Sequence, residues 1–486
     1  MKRTIFIIFF TLLTFSLSYS QPKNEVRAAW VTTAYGLDWP RTRSTSTEKM
    51  QRQQSDLLKI LDKLKAANFN TVLFQVRSRG DVYYRSQIEP MSIYLTDKLN
   101  GDPGYDPLTF AVDECHKRGM ECIAWMVSIP LGSRRHVASL GKYSALRHTH
   151  GGIVTGYKSE YYLNPANPET KVYLMDIVRE IATNYDVDGF VFDYLRYPEY
   201  AAASFDKAEY NKYAEGRPLA EWRRDNITEI VRYLYHGIKA IKPWVKVCTC
   251  PVGKYRDTTR FPSHGWNAFY AVSQDPQKWM QEGIQDQIYP MMYFRGNNFY
   301  PFALDWNEEG NGRHIVPALG TYFLNPSDGN WSCEDIIRQI HFLRQYKLAG
   351  ESHFRMEFLM KNTKGVYDSL ADDLYLTPAL QPPMTWLDNI APTAPSGLKI
   401  QRDDEACTLT WRAAHDNDNR NAPMYVVYAS DTYPVDTTKP ENILAQRVQG
   451  TSYVYMPVRP WQSKTYFAVT AIDRYGNEGP AEQENH

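Results

Sequence analysis

From residue 25 onward, short apolar runs alternate with longer stretches that carry apolar residues at helical spacing. The runs are "VRAAWVTT" (26–33), "TVLFQVR" (71–77), "ECIAWMV" (121–127), "GFVFDY" (189–194), "KVCTCPV" (246–252), "DQIYPMMYF" (286–294), "HIVPALGTYF" (314–323) and "SHFRMEFL" (352–359). Between them, helical periodicity covers 54–69, 106–120, 169–185, 221–241, 276–283 and 333–346. The second of these starts with Asp106 as N-cap and Pro107 at the first helical position, and ends at Gly119. Strands that are apolar on successive residues are buried on both faces, and helical crossovers make them parallel. Eight such units predict an α/β fold, a (β/α)8 TIM-type barrel with loop insertions, over 25–390. An open doubly wound sheet is the alternative, but the Gly-rich phosphate turn such a sheet carries after an early strand is missing.

The pattern changes after the stretch 382–398, "PPMTWLDNIAPTAPSGL". From 392 to 486 the chain shows short alternating strands separated by turn residues. Segments such as "ACTLTW", "MYVVYAS" and "AVTAIDRYGNEGP" resemble a fibronectin type III sandwich, a small all-β domain with Trp411 and Tyr466 in its core. The prolines near 391–395 predict a boundary with few contacts across it. At the other end, residues 1–20 read as a signal peptide: Lys2 and Arg3, an apolar stretch over 4–17, and a small-residue site before Gln21. Export to the periplasm or cell surface is therefore expected. No later apolar run is long enough to span a bilayer.

The chain carries 55 basic and 55 acidic residues, which argues against nucleic acid or an anionic membrane as partner. It is instead rich in rings, with 12 Trp, 35 Tyr and 20 Phe. Sugars present apolar C–H faces that stack on aromatic rings, so this composition suits a carbohydrate ligand, although most rings must fill the core. The six cysteines are irregularly spaced and read as buried thiols. No His or Cys spacing points to a metal, and no cofactor is expected. Nothing in the sequence fixes an oligomeric state.

Active sites of such barrels lie at the C-terminal ends of the strands. Glycoside hydrolysis normally needs two carboxylates there, one to donate a proton and one to attack or to activate water. Asp193 ends the fourth strand and shares a face with Val191, which puts both inward, Val191 in the packed layer and Asp193 at the mouth. Glu357 near the end of the eighth strand is the candidate proton donor, with Asp38 after the first strand as a third catalytic candidate. Glu199, just past the fourth strand, is a further carboxylate at the cleft. Asp286 opens the sixth strand and reads as structural, at the opposite rim. Candidate substrate contacts are Trp30, Arg77, Trp125, Asn164, Tyr194, Arg196, Glu199, Tyr293 and Trp306. Trp30 and Trp125 lie within strands and equally suit the barrel filling, and Asn164 equally suits an Asn-Pro turn.

Several segments in order carry a wider likeness: "RAAWVTTAYGLDWP", "NTVLFQVRSRGDVYYRSQIEPMS", "DPGYDPLTFAVDECHKRGMECIAWM", "YYLNPANPE", "YDVDGFVFDYLRYP", "WRRDNI" with "IKAIKP", and "DQIYPMMYF". Together they resemble the glycosyl-hydrolase-like ten family of bacterial envelope proteins, over about 25–375. The resemblance implies a barrel and activity on peptidoglycan glycan strands. Two positions depart from the family pattern: Tyr194 stands where a second Asp usually follows Asp193, and Met291 where a Gln is usual. A partial likeness to the chitinase-type signature, through Asp188-Gly189 and Asp193, fails because Leu195 occupies the place of the terminal Glu acid. The expected function is a secreted glycosidase acting on cell-wall or related polysaccharide, with Asp193 as nucleophile or base. The alternative is a barrel that binds glycan without cleaving it.

Overall fold

A computed structural model describes residues 21–484 apart from 149–151, 262–265, 404, 418–420 and 458–463. The expected signal peptide lies outside the described residues. The barrel strands are β1 (Val26–Val31), β2 (Thr71–Arg77), β3 (Glu121–Val127), β4 (Gly189–Asp193), β5 (Lys246–Thr249), β6 (Gln287–Ile288 with Met291–Met292), β7 (His314–Ile315 with Ala318–Leu319) and β8 (Gly350–His353). All pairings are parallel, and each strand pairs with its sequence neighbour. The ring closes where β8 pairs with β1. The chain is thus a (β/α)8 barrel.

Three of the predicted strand runs differ from the sequence reading. Strands β6 and β7 are interrupted by Pro290 and Pro317, which have no N–H to give the ladder. The first halves pair with each other and with β5, and the second halves with each other and with β8. The run 352–359 is not one strand. The β8 ladder stops at His353, and Met356–Met360 is a short helix whose Glu357 N–H donates to Asp38 at 2.9 Å.

Alternate residues of the strands point inward. Val26, Ala28, Trp30, Leu73, Trp125 and Val191 belong to one packed interior cluster, with Cys248, Cys250 and Tyr289. The helices that cover the outside include α1 (Thr47–Ala66), α2 (Pro107–Lys117), α3 (Pro168–Asn184), α4 (Leu219–Ile241) and α5 (Cys333–Gln345). The Asp106 side chain caps α2 as expected, accepting from Leu108 and Thr109 N–H. Between β3 and α3 the chain inserts a three-stranded antiparallel sheet, Pro130–Ser133, Val154–Tyr157 and Glu160–Leu163, at the mouth of the barrel.

Strand β8 also carries a buried acid. Glu351 is fully buried, and burial together with the neighbouring Glu25 charge pushes its pKa up to about 8. The folded chain thus holds this proton more tightly than the unfolded chain, whose Glu titrates near ~4.3. Wild-type stability should fall as pH rises from the unfolded value through about 8. Glu351→Gln resembles the protonated acid and should remove that fall. Its melting temperature should match wild type near about pH 4 and exceed it progressively toward about pH 8; parallel profiles would refute the shift.

The C-terminal segment forms two antiparallel sheets of three and four strands, with Trp411, Tyr425, Val427 and Phe467 between them. Trp411 lies in that core as expected. Tyr466 does not: it is half-buried on the other face, because its neighbour Phe467 takes the inward position. The expectation of few contacts between barrel and sandwich also fails. Arg447 donates to Glu121 at 3.2 Å and also pairs with Asp188. Arg474 bonds Asp186 at 2.9 Å. Leu380 of the barrel packs into a cluster with Met424, Val426 and Tyr428. The crevice left between the two parts holds about 20 Å³, room for roughly one water. All these barrel carboxylates lie at strand starts, so the sandwich sits under the rim opposite the cleft.

Candidate active site

The mouth of the barrel opens into a cleft of about 690 Å³. Its floor is aromatic. Trp30 and Trp125 meet edge to face with ring centres 4.9 Å apart, and Phe354 packs against both. Each indole N–H is committed: Trp30 donates to Ser352 Oγ at 3.0 Å and Trp125 to Asp193 Oδ2 at 3.1 Å. Asp193 is therefore placed by two features of its sequence neighbourhood. Strand alternation sets it inward above Val191, and Trp125, the β3 residue opposite Val191, supplies an indole donor.

The other Asp193 oxygen accepts the Tyr194 N–H at 2.7 Å. Burial pushes the Asp193 pKa above the ordinary aspartate range, while Arg196, the Cys250 thiol, Trp125 and the Tyr194 N–H pull it back. With N–H donors on both oxygens, the group is built to accept. A buried, basic carboxylate in an apolar-floored cleft has the properties of a nucleophile or general base.

Tyr194 follows in the left-handed region (φ 50) and is 40% exposed, so its ring stands in the cleft. Arg196 lies over that ring at 4.6 Å and over Trp266 at 5.4 Å. Glu199 and Tyr293 also line the cleft, and Met291 is beside them. Strand β4 and the loop after it thus deliver Asp193, Tyr194, Arg196 and Glu199 to one place.

Five sequence candidates do not belong to it. Arg77 is fully buried and makes a double ion pair with Glu89, at 2.6 and 2.7 Å. A register shift between Gln75 and Arg77 turns it off the inward face, leaving Gln75 in the cleft. Asn164 is buried in its turn, accepting from Ala166 N–H at 3.1 Å. Trp306 is core, donating to the Gly253 carbonyl at 2.7 Å. Asp38 receives Thr32 and Glu357 N–H and pairs with Arg355, so it ties two loops together. Glu357 lies on the helix after β8, clamped between Arg355 and Lys361. Partial burial raises its pKa, but those two cations outweigh burial and hold it below the usual carboxylate value, which is the wrong state for a proton donor. Asp286 is structural, as expected, paired with Lys239 at 2.7 Å at the far rim.

The structure adds one carboxylate that the sequence reading missed. Glu160 lines the cleft from the inserted sheet; its Oε2 accepts the Tyr162 hydroxyl at 2.7 Å and its Oε1 lies 3.9 Å from Arg79 Nη1. The segment "YKSEYY" does show a hairpin-like pairing of aromatic positions, but Lys158-Ser159 is not a strong turn signal.

A deep aromatic cleft with three carboxylates at the C-terminal rim of such a barrel is the layout that glycosidases use. The family model described as Glycosyl hydrolase-like 10 matches residues 25–319. The chain belongs to the glycosyl hydrolase-like 10 family. Glycosyl hydrolase YngK of Bacillus subtilis (strain 168) is 32% identical to it over 487 residues, 96% of this chain and 94% of that one. Glycosyl hydrolase DigH of Escherichia coli (strain K12) is 32% identical over 292 residues, 56% of this chain and 66% of that one. Among solved structures, the PgaB (BpsB) glycoside hydrolase domain from Bordetella bronchiseptica shares the fold, with TM-score 0.50 and 13% identity over 73% of this chain and 99% of that one. Family membership and named relatives make this glycosyl hydrolase-like 10 chain a glycosidase.

Proposed function

We propose that the chain is an exported glycoside hydrolase that cuts bacterial cell-wall glycan strands or a related polysaccharide at the periplasm or cell surface. The observation that carries this reading is Asp193, a buried carboxylate fixed by two N–H donors on the floor of an aromatic cleft that also holds Glu160 and Glu199. Export rests on the leader-like residues 1–20, and the substrate on the family resemblance and the ring-lined cleft. Asp193 acts as nucleophile or base. Glu199 is the proton donor: it is exposed, and no side-chain hydrogen bond within the described residues competes for it. Glu160, already engaged by Tyr162 and near Arg79, positions the sugar.

Release of new reducing ends from defined cell-wall glycans by the purified protein tests the reaction; saturable binding without release would establish the non-catalytic alternative, to which the Tyr194 ring beside Asp193 lends itself. The proton-donor role has its own signature. Glu199→Gln should lose roughly 10²–10⁴-fold in turnover of natural glycans, yet lose little on aryl glycosides whose leaving group needs no proton. Glu160→Gln should weaken both substrates alike. Equal losses on both substrates in Glu199→Gln would move the donor role elsewhere.

A further inference from the structure

Beside the cleft lies a second pocket of about 150 Å³. The two share Tyr35, Ser78 and Arg79 as part of their walls. The far side of the second pocket is lined by Ile93, Tyr94, Leu99 and Leu140, with Asp81, His136 and Ser139 as polar groups. Asp81 is 5% exposed. One of its oxygens accepts the Arg79 N–H at 3.1 Å, and its other makes no hydrogen bond among the described residues. The reaction proposed above makes no use of this pocket.

Tyr35 is the notable part of the divide. It sits in the left-handed region (φ 58, ψ 13) and is still 57% exposed. Left-handed backbone costs an L-residue roughly 1–2 kcal/mol, and an aromatic residue kept there on a surface points to use rather than packing. Its ring meets Tyr94 edge to face at 5.8 Å, and its hydroxyl accepts from Arg79 Nη1 at 3.3 Å. The ring is thus braced from both sides while part of it remains open.

We propose that this pocket is a further saccharide subsite, taking one sugar unit of a chain that continues from the cleft past Tyr35. A sugar offers an apolar C–H face to the Tyr35 and Tyr94 rings and hydroxyl donors to Asp81. The assignment rests on the glycosidase reading and adds to it that substrate length is measured on this side of Asp193.

The test uses soluble cell-wall oligosaccharides of graded length with the wild type, Tyr35→Ala and Ile93→Trp. Ile93 is 43% exposed, so a larger ring there fills the pocket without entering the core. The readout is the ratio of kcat/KM for the chain that reaches the pocket to that for the chain one unit shorter. Wild type should show a step of about tenfold at one chain length. Both variants should flatten that step, with thermal transitions confirming that they are folded. A step of wild-type size in folded Ile93→Trp, or no step in wild type, would overturn the subsite. The same ladder titrated onto Asp193→Asn separates this from the reading beneath it. A binding step at the same length supports the subsite; binding without a step overturns the subsite alone; and no binding or cleavage of any glycan by wild type overturns both.

Discussion

Asp193→Asn should reduce turnover on glycan by roughly 10²–10⁴-fold while leaving glycan affinity nearly unchanged. The expectation follows from the placement of its two oxygens. Both accept N–H donors, from Trp125 and from Tyr194, so the side chain enters the reaction as an acceptor of a proton or as the attacking group. An amide of the same shape cannot do either. It also turns an NH2 toward one of those donors, so Asp193→Ala should be made alongside and both variants checked for a native thermal transition. The pH profile gives a second reading. A base must be ionised to work, and burial raises the Asp193 pKa. The acid limb of kcat/KM should therefore lie above the ordinary aspartate value of ~3.9. A folded Asp193→Asn protein with wild-type turnover would end the assignment.

The second large effect is expected in stability. Arg447→Ala should cost about 1–3 kcal/mol, because it takes one cation from the Asp188 and Glu121 carboxylates, which keep His116 and Lys246, in a crevice with space for little more than one water. Burial raises the Asp188 pKa, but Arg447, His116 and Arg474 outweigh it and hold the carboxyl well below the usual range. A depressed carboxyl stabilises the fold above the unfolded pKa of ~3.9 and loses that contribution as pH falls below it. The difference between wild type and Arg447→Ala should accordingly be full at neutral pH and shrink in acid. For the same reason a chain ending near Asp388 should not retain the thermal transition of the full chain. Cutting there removes Arg447 and Arg474 from Asp188, Glu121 and Asp186 and uncovers Leu380. Calorimetry of the intact protein should show one transition for barrel and sandwich together; two well-separated transitions, or an unaltered barrel after truncation, would show the contact to be energetically idle.

Much of the scaffold was legible because it is written in local periodicity. Strands β2 and β3 occupy the residues that their apolar runs predicted, and the Asp106 cap begins α2. Asp193 was legible for the same reason, since alternation from Val191 fixes its face. What escaped the sequence depends on partners far along the chain. Arg77 reads as a cleft cation until a bulge turns it toward Glu89. Glu357 reads as a strand-end acid, but His353 ends the ladder and Asp38 receives the first turn of a helix there. Glu160 comes to the cleft only because a hairpin folds over the barrel mouth, and the boundary prolines gave no hint that Arg447 and Arg474 would reach back into the barrel base.

The position of the sandwich bears on how so large a substrate is approached. Because that domain is seated beneath the strand starts, among the described residues none of it overhangs the side bearing Tyr194, Glu199 and the inserted hairpin. On the proposed function, a polymer network many times the size of the protein would be met face-on and cut where it lies, without first being drawn out as a free end and threaded.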